Sequence, residues 1–189
     1  MPHYSVIVPV HSEAESLPEL SARIEAVFTA MGALGELELL FVDDGSTDET
    51  PEVLARLADS HPFIRFLRLR RNCGKSLALM AGFRAASGKV VVTMDGDLQD
   101  NPEDIPSLLA KLEEGYDLVN GWRLRRQDQT VRKLGSRVYN ATIRRLTGLE
   151  LQDQNCGMKA YRRQVLNTLV VSANTTATPP FRPIWRASR

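Results

Sequence analysis

The chain has 189 residues, 43% of them apolar, which is the length of one domain with one sizeable core. Its 24 Lys and Arg against 23 Asp and Glu leave a net charge of +1, with no global sign of a nucleic-acid binder or of an acidic disordered chain. The balance is local, however: residues 122–146 carry eight basic residues and one acid, so this stretch is +7 and the rest of the chain −6, and an anionic partner is expected there.

Short β-rich runs alternate with amphipathic stretches, the pattern of parallel βαβ units. Strands are predicted over residues 4–9, 38–42, 63–69, 89–94 and 117–120. After the first, Ser12 and Glu15 form a capping-box pattern, and Leu17, Leu20, Ile24, Val27 and Met31 recur at helical spacing until Gly32. Further helices are predicted over 47–58, 75–86 and 104–114, and a basic one over about 130–146. The result is an α/β fold with an open, mostly parallel sheet and helices on both faces, whose ligand site lies beyond the carboxyl ends of the strands. The segment LQDQNCGMKAYRR reads as a polar loop, and residues 170–189, rich in Thr, Ala and Pro, have neither period. Nowhere do about 18–20 apolar residues run together, and MPHYSVIVPV lacks the features of a signal peptide, so a cytoplasmic chain without a transmembrane segment is expected. Cys73 and Cys156 are too few for a disulfide framework and are read as reduced; His3, His11 and His61 show no zinc spacing.

Two strands end in carboxylate clusters: Asp43, Asp44 and Asp48 in FVDDGSTD, and Asp95, Asp97 and Asp100 in TMDGDLQD. Repeated carboxylates at a ligand-binding edge are costly unless a cation or donors neutralise them. Asp95, Asp97 and Gln99 place oxygen-bearing side chains at i, i+2 and i+4, a donor set for Mg2+ or Mn2+ completed by phosphate and water. Gly96 lets backbone and ligand approach closely. A lone Asp-Gly-Asp is more often a turn; after a buried strand, and matched by a second cluster, the functional reading prevails. Asn72-Cys73-Gly74-Lys75-Ser76 is not a P-loop, because Leu69 stands where the first glycine is needed. Gly74 and Lys75 are instead expected to shape a nucleotide pocket.

The segments PVHSEAESL, FVDDGSTDET, RNCGKSLALMAGFRAA, TMDGDLQDNPEDIP, VNGWR and DQNCGMKAYRR, in that order over residues 4–168, resemble family 2 glycosyltransferases of the GT-A fold, especially the polyprenyl-phosphate branch. The resemblance implies a three-layer Rossmann-like domain over 1–169, followed by an irregular tail over 170–189, an aberrant or truncated end. It implies nucleotide binding by Pro9, His11, Glu13, Val42, Asp43, Asp44, Lys75, Asp95 and Gly96, with Asp44 on the base or ribose and Asp43 behind it. Asp95, Asp97 and Gln99 match the metal pattern. Arg123 matches a basic residue that meets phosphate, and Arg137 is chosen with it from a run whose other members read as a solvated helix face.

The implied activity is metal-assisted, inverting transfer of a sugar from a UDP- or GDP-sugar to a polyprenyl-phosphate lipid in cell-envelope glycan synthesis, at the cytoplasmic face of the membrane. Asp97 and Asp153 are the catalytic candidates, Asp153 orienting the complex or taking a proton; alternatively it caps the segment over 159–169. The resemblance stops near Thr168, from which weak or no activity of the chain is expected. The alternative is a nucleotide-sugar-binding remnant without turnover; a nucleotidyltransferase is disfavoured because no glycine-rich loop follows the first strand.

Overall fold

The computed structural model describes residues 2–121, 157–166 and 185–186. The first two strands, β1 (Tyr4–Val10) and β2 (Leu37–Asp43), are buried almost throughout, so their apolar residues run continuously and do not alternate with polar ones. Such strands need cover on both faces. On one face α1 (Leu17–Ala30), α2 (Thr50–Ser60) and α4 (Ile105–Glu113) pack Leu17, Leu20, Ile24, Phe28, Leu54, Ile105 and Leu108 against Val6, Val8, Leu39 and Phe41. On the other, α3 (Lys75–Ala85) places Ala78 over Ile7, Leu40 and Val42.

Beside β2 lies β3 (Ile64–Arg68), and beside β1 lies β4 (Val90–Thr93); β5 (Leu118–Asn120), β6 (Lys159–Arg162) and the two-residue β7 (Trp185–Arg186) complete the order β3-β2-β1-β4-β6-β5-β7. Pairing is parallel from β3 to β4, antiparallel on both sides of β6, and parallel between β5 and β7. The chain builds outward from β1 through β2 and β3, then crosses to the other side of β1 for β4. The strand order thus reverses between β1 and β4, and it is in the crevice beyond the carboxyl ends of strands at such a reversal that open α/β sheets bind ligands.

Three expectations are corrected. The Ser12–Glu15 capping box does not form: α1 begins at Leu17 with a proline in its first turn, and Ser12 sits in a left-handed conformation (φ 58°). The segment read as a polar loop supplies β6, in which Ala160 and Tyr161 are buried on opposite faces between flanking Lys and Arg; four residues are too few to show a period. The tail read as neither helix nor strand contributes β7, whose backbone pairs with Val119 and Asn120. Gly32 does end α1, with Gly32 N–H bonding Thr29 O and Ala33 N–H bonding Phe28 O. Among the described residues no helix is long and apolar enough to cross a membrane. The expected basic helix over 130–146 lies outside the described residues.

Candidate active site

Beyond β1 the chain turns through His11, Ser12 and Glu13 and is tied at each residue to the loop after β2 or to the first residue of α2. His11 Nδ1 lies 3.1 Å from Asp44 O, Ser12 N–H donates to Ser46 Oγ at 2.9 Å, and Glu13 N–H donates to Thr50 Oγ1 at 3.0 Å. Asp43 is fully buried. It accepts Ser46 N–H at 2.8 Å through Oδ1 and faces Arg68 Nε at 3.3 Å through Oδ2, so it builds the loop from beneath.

Asp44, 4% exposed, accepts Cys73 N–H at 2.7 Å and Gly74 N–H at 2.8 Å, one on each carboxylate oxygen. These N–H groups belong to the turn that starts α3, so the carboxylate fixes the helix that begins with Lys75. A charged acceptor on two backbone donors is a strong, directional clamp.

After β4 the loop 95–100 is held by its own acids: Asp100 Oδ2 accepts Asp95 N–H at 2.9 Å, and Asp97 Oδ1 accepts Gln99 N–H at 3.1 Å. Leu98 in this loop (φ 61°) and Ser12 opposite it are the non-glycine residues with positive φ among those described. Each such conformation costs on the order of 1–3 kcal/mol, and such strain clusters at functional sites. Gly96 lies directly against the Glu13 carboxylate, so a Cβ there would meet Glu13 Oε2 at 1.9 Å and the Glu13 side chain would have to shift.

The electrostatics are one-sided. Burial first, and then the nearby Asp97 and Asp95, push the Glu13 carboxyl up from the ordinary 4.5 to about 7, while Lys75 opposes them. Glu13 Oε2 is a buried oxygen with no hydrogen-bond partner among the described residues. Lys75 Nζ contacts Asp95 Oδ1. Lys75 is thus in contact with Asp95 and close enough to act on Glu13.

No three His, Cys, Asp or Glu side chains among the described residues form a cation cage by themselves. The residues do fit a hard divalent cation of the kind held by one or two carboxylates plus phosphate and water: Asp97 and Asp95 lie close enough to Glu13 to raise its pKa, and Glu13 Oε2 has no hydrogen-bond partner among the described residues.

Of the expected site residues, the structure brings His11, Glu13, Asp44, Lys75, Asp95, Gly96, Asp97 and Gln99 to the mouth of the crevice, with Asp43 directly behind. The Val42 side chain is fully buried under α3 beside Ala78. Its register partner Pro9 is buried as well. Arg123, Arg137 and Asp153 lie outside the described residues. Sequence reasoning missed Ser46 and Thr50, whose hydroxyls hold the β1 loop, and Gly157, where a Cβ would meet the Asp95 carboxylate at 2.4 Å. A hydroxyl bonding a residue 34 or more positions away leaves no local sequence signal. Cys73 is a free, exposed thiol, as expected; Cys156 is not among the described residues.

Residues 5–170 match the family model described as Glycosyl transferase family 2. The chain belongs to glycosyltransferase family 2. Similar family members include the undecaprenyl-phosphate 4-deoxy-4-formamido-L-arabinose transferases of Salmonella paratyphi A, 43% identical over 169 residues, and Salmonella paratyphi B, 44% identical over 170 residues. Each alignment covers 88% of this chain and 50% of the relative, so the chain spans about half the length of the curated relatives it matches.

Among solved structures, glucosyl-3-phosphoglycerate synthase from Mycobacterium tuberculosis with Mn2+, UDP-Glc and phosphoglyceric acid is similar at TM-score 0.66 and 25% identity, over 87% of this chain and 57% of that one. A mannosyltransferase from Pyrobaculum calidifontis in complex with GDP-Man and Mn2+ shares the fold, at TM-score 0.65 and 24% identity, over 89% of this chain and 46% of that one. The family 2 fold expected from the motifs is therefore the one observed, with an antiparallel β6 inserted in its sheet.

Proposed function

We propose that this chain carries the activated-sugar site of an inverting glycosyltransferase that moves a sugar from a UDP- or GDP-sugar to a polyprenyl phosphate. The observation that carries the reading is the convergence of Glu13, Asp44, Asp95 and Asp97 on the crevice at the reversal of strand order, in a family 2 chain. Solved relatives holding UDP-Glc or GDP-Man with Mn2+ support the donor class, and the names of the 43–44% identical relatives support the acceptor class.

In this reading Asp44 and His11 line the base and ribose side, and Asp95, Asp97 and Gln99 would hold Mg2+ or Mn2+. When bound, such a cation supplies Lewis-acid neutralisation of the charge that develops on the departing diphosphate. Asp100 and the Asp97–Gln99 contact keep the acidic loop in place, so little reorganisation accompanies charge build-up. Arg123 and Arg137, from the +7 stretch, are assigned to phosphate. A lipid phosphate, with a second pKa near ~6, is already mostly dianionic at neutral pH and attacks without a strong base. Asp153 is accordingly assigned to orienting the complex. Attack opposite the leaving diphosphate inverts the anomeric centre, and a lipid acceptor puts the reaction at a membrane surface, which this reading assigns to the cytoplasmic face.

The test incubates the chain with Mn2+, undecaprenyl phosphate and labelled UDP- and GDP-sugars. Slow but equal release of nucleoside diphosphate and glycosyl lipid is expected, with turnover reduced roughly 100- to 1,000-fold further in Asp97→Ala, the range seen when a key charge-stabilising group is lost. Nucleotide-sugar binding without transfer would overturn the transferase reading in favour of a binding remnant.

A further inference from the structure

The crevice already holds a positive charge of its own. Lys75, half-exposed on the first residue of α3, reaches across 20 positions of sequence to Asp95, the more buried of the two aspartates assigned to the cation. Its helix is anchored by Asp44 through Cys73 N–H and Gly74 N–H, so the carboxylate assigned to the nucleotide also positions the ammonium that faces Asp95. One turn of chain thus connects the two acidic loops. An ammonium on a flexible four-carbon stem can change partner without backbone movement, as a guanidinium locked in a bidentate pair cannot.

We propose that Lys75 is a resident counter-ion that competes with the divalent cation for Asp95 and moves to the donor's diphosphate when nucleotide and cation enter together. This inference rests on the donor-site reading above. Without nucleotide, Lys75 neutralises Asp95 and keeps the cation weakly held. A diphosphate offers Lys75 a new partner of like charge to the one it leaves, and Asp95 becomes available as a cation ligand. Cation binding is then conditional on nucleotide, and by linkage the cation raises nucleotide affinity by the same factor. The device disfavours loading of the acidic loops by free cation alone.

The test measures bound Mn2+ by electron paramagnetic resonance, without and with UDP or GDP, in the full chain and in Lys75→Gln and Lys75→Arg. Lys75→Gln is expected to bind Mn2+ alone about tenfold more tightly than the wild type, within the usual range of coupling between sites. Lys75→Arg, which keeps the charge, is expected to retain the weak nucleotide-free binding. Removing a cation from a helix N-terminus does not oppose the helix dipole, so Lys75→Gln is expected to fold, which circular dichroism checks. Unchanged or weaker Mn2+ affinity in Lys75→Gln, with nucleotide-dependent Mn2+ binding intact in the wild type, would overturn the competition and leave the donor site standing. Absence of Mn2+ binding from the wild type even with nucleotide would overturn both.

Discussion

Glu13 shows how a single side chain records the charge of the whole crevice. Its carboxyl is raised to about 7, chiefly by burial and then by Asp97 and Asp95. A carboxyl whose folded-state pKa exceeds its unfolded one stabilises the fold at low pH and loses that contribution as pH rises through the folded value. In metal-free protein, stability at Glu13 is therefore full below about 4.5 and falls away as pH approaches and passes 7. Glu13→Gln, neutral at every pH, is expected to flatten this decline: urea unfolding should find it as stable as the wild type or less so near pH 5, and relatively more stable at pH 8. A decline that persists unchanged in Glu13→Gln would show that its titration is not the cause. Glu38 is the contrasting case at the opposite end of the sheet. Burial would raise its pKa, yet Ser5 Oγ, Ser87 N–H and Arg65 together hold it lowered. That buried acid is fully partnered and structural, whereas Glu13 is left short of partners where a ligand would supply them.

At the scale of elements, the position of α3 decides where Lys75 and the Asp44 clamp sit, and Gly82 sets that position. A Cβ at Gly82 would meet Ile7 Cγ2 at 2.5 Å and Val42 Cγ2 at 3.1 Å, both in the packed core. Alanine gains about 1 kcal/mol of helix propensity over glycine, but overpacking a core costs about 1–3 kcal/mol. Because Ile7 is fully buried and branched at Cβ, the packing cost is expected to prevail. Gly82→Ala should lower the urea midpoint with an unchanged slope, a net loss of up to about 2 kcal/mol; a raised midpoint would show that α3 can shift outward freely. The long elements were legible because their burial imposes a period: Leu17, Leu20, Ile24 and Val27 read as one helix face, and residues 4–9 as a buried strand. β6 and β7 were not, since each is short and takes its pairing from the sheet edge and not from its own sequence. The same limit applied inside the site. The carboxylates could be found from motif and spacing, but the Lys75–Asp95 contact and the Ser46 and Thr50 tethers join residues 20 to 37 positions apart. The false capping box at Ser12 and Glu15 had the right residue types, but the loop was claimed by bonds to Ser46 and Thr50 instead.

For the whole molecule, a net charge of +1 conceals a division of labour between a crevice of shared carboxylates and a stretch of +7 over residues 122–146. In the proposed reaction the first meets the cation and the donor diphosphate, and the second the acceptor phosphate. The order of strands fixes where the first must lie: with β4 crossing back beside β1, the loops after β1, β2 and β4 have one crevice in common. The proposal therefore stands or falls on whether that crevice takes a nucleotide through a cation. Calorimetric titration of the chain with UDP, GDP and their sugars, with and without Mn2+, is expected to show one site whose affinity depends on Mn2+ and which is lost in Asp97→Ala. Weak binding of every nucleotide alike, indifferent both to Mn2+ and to Asp97→Ala, would contradict it.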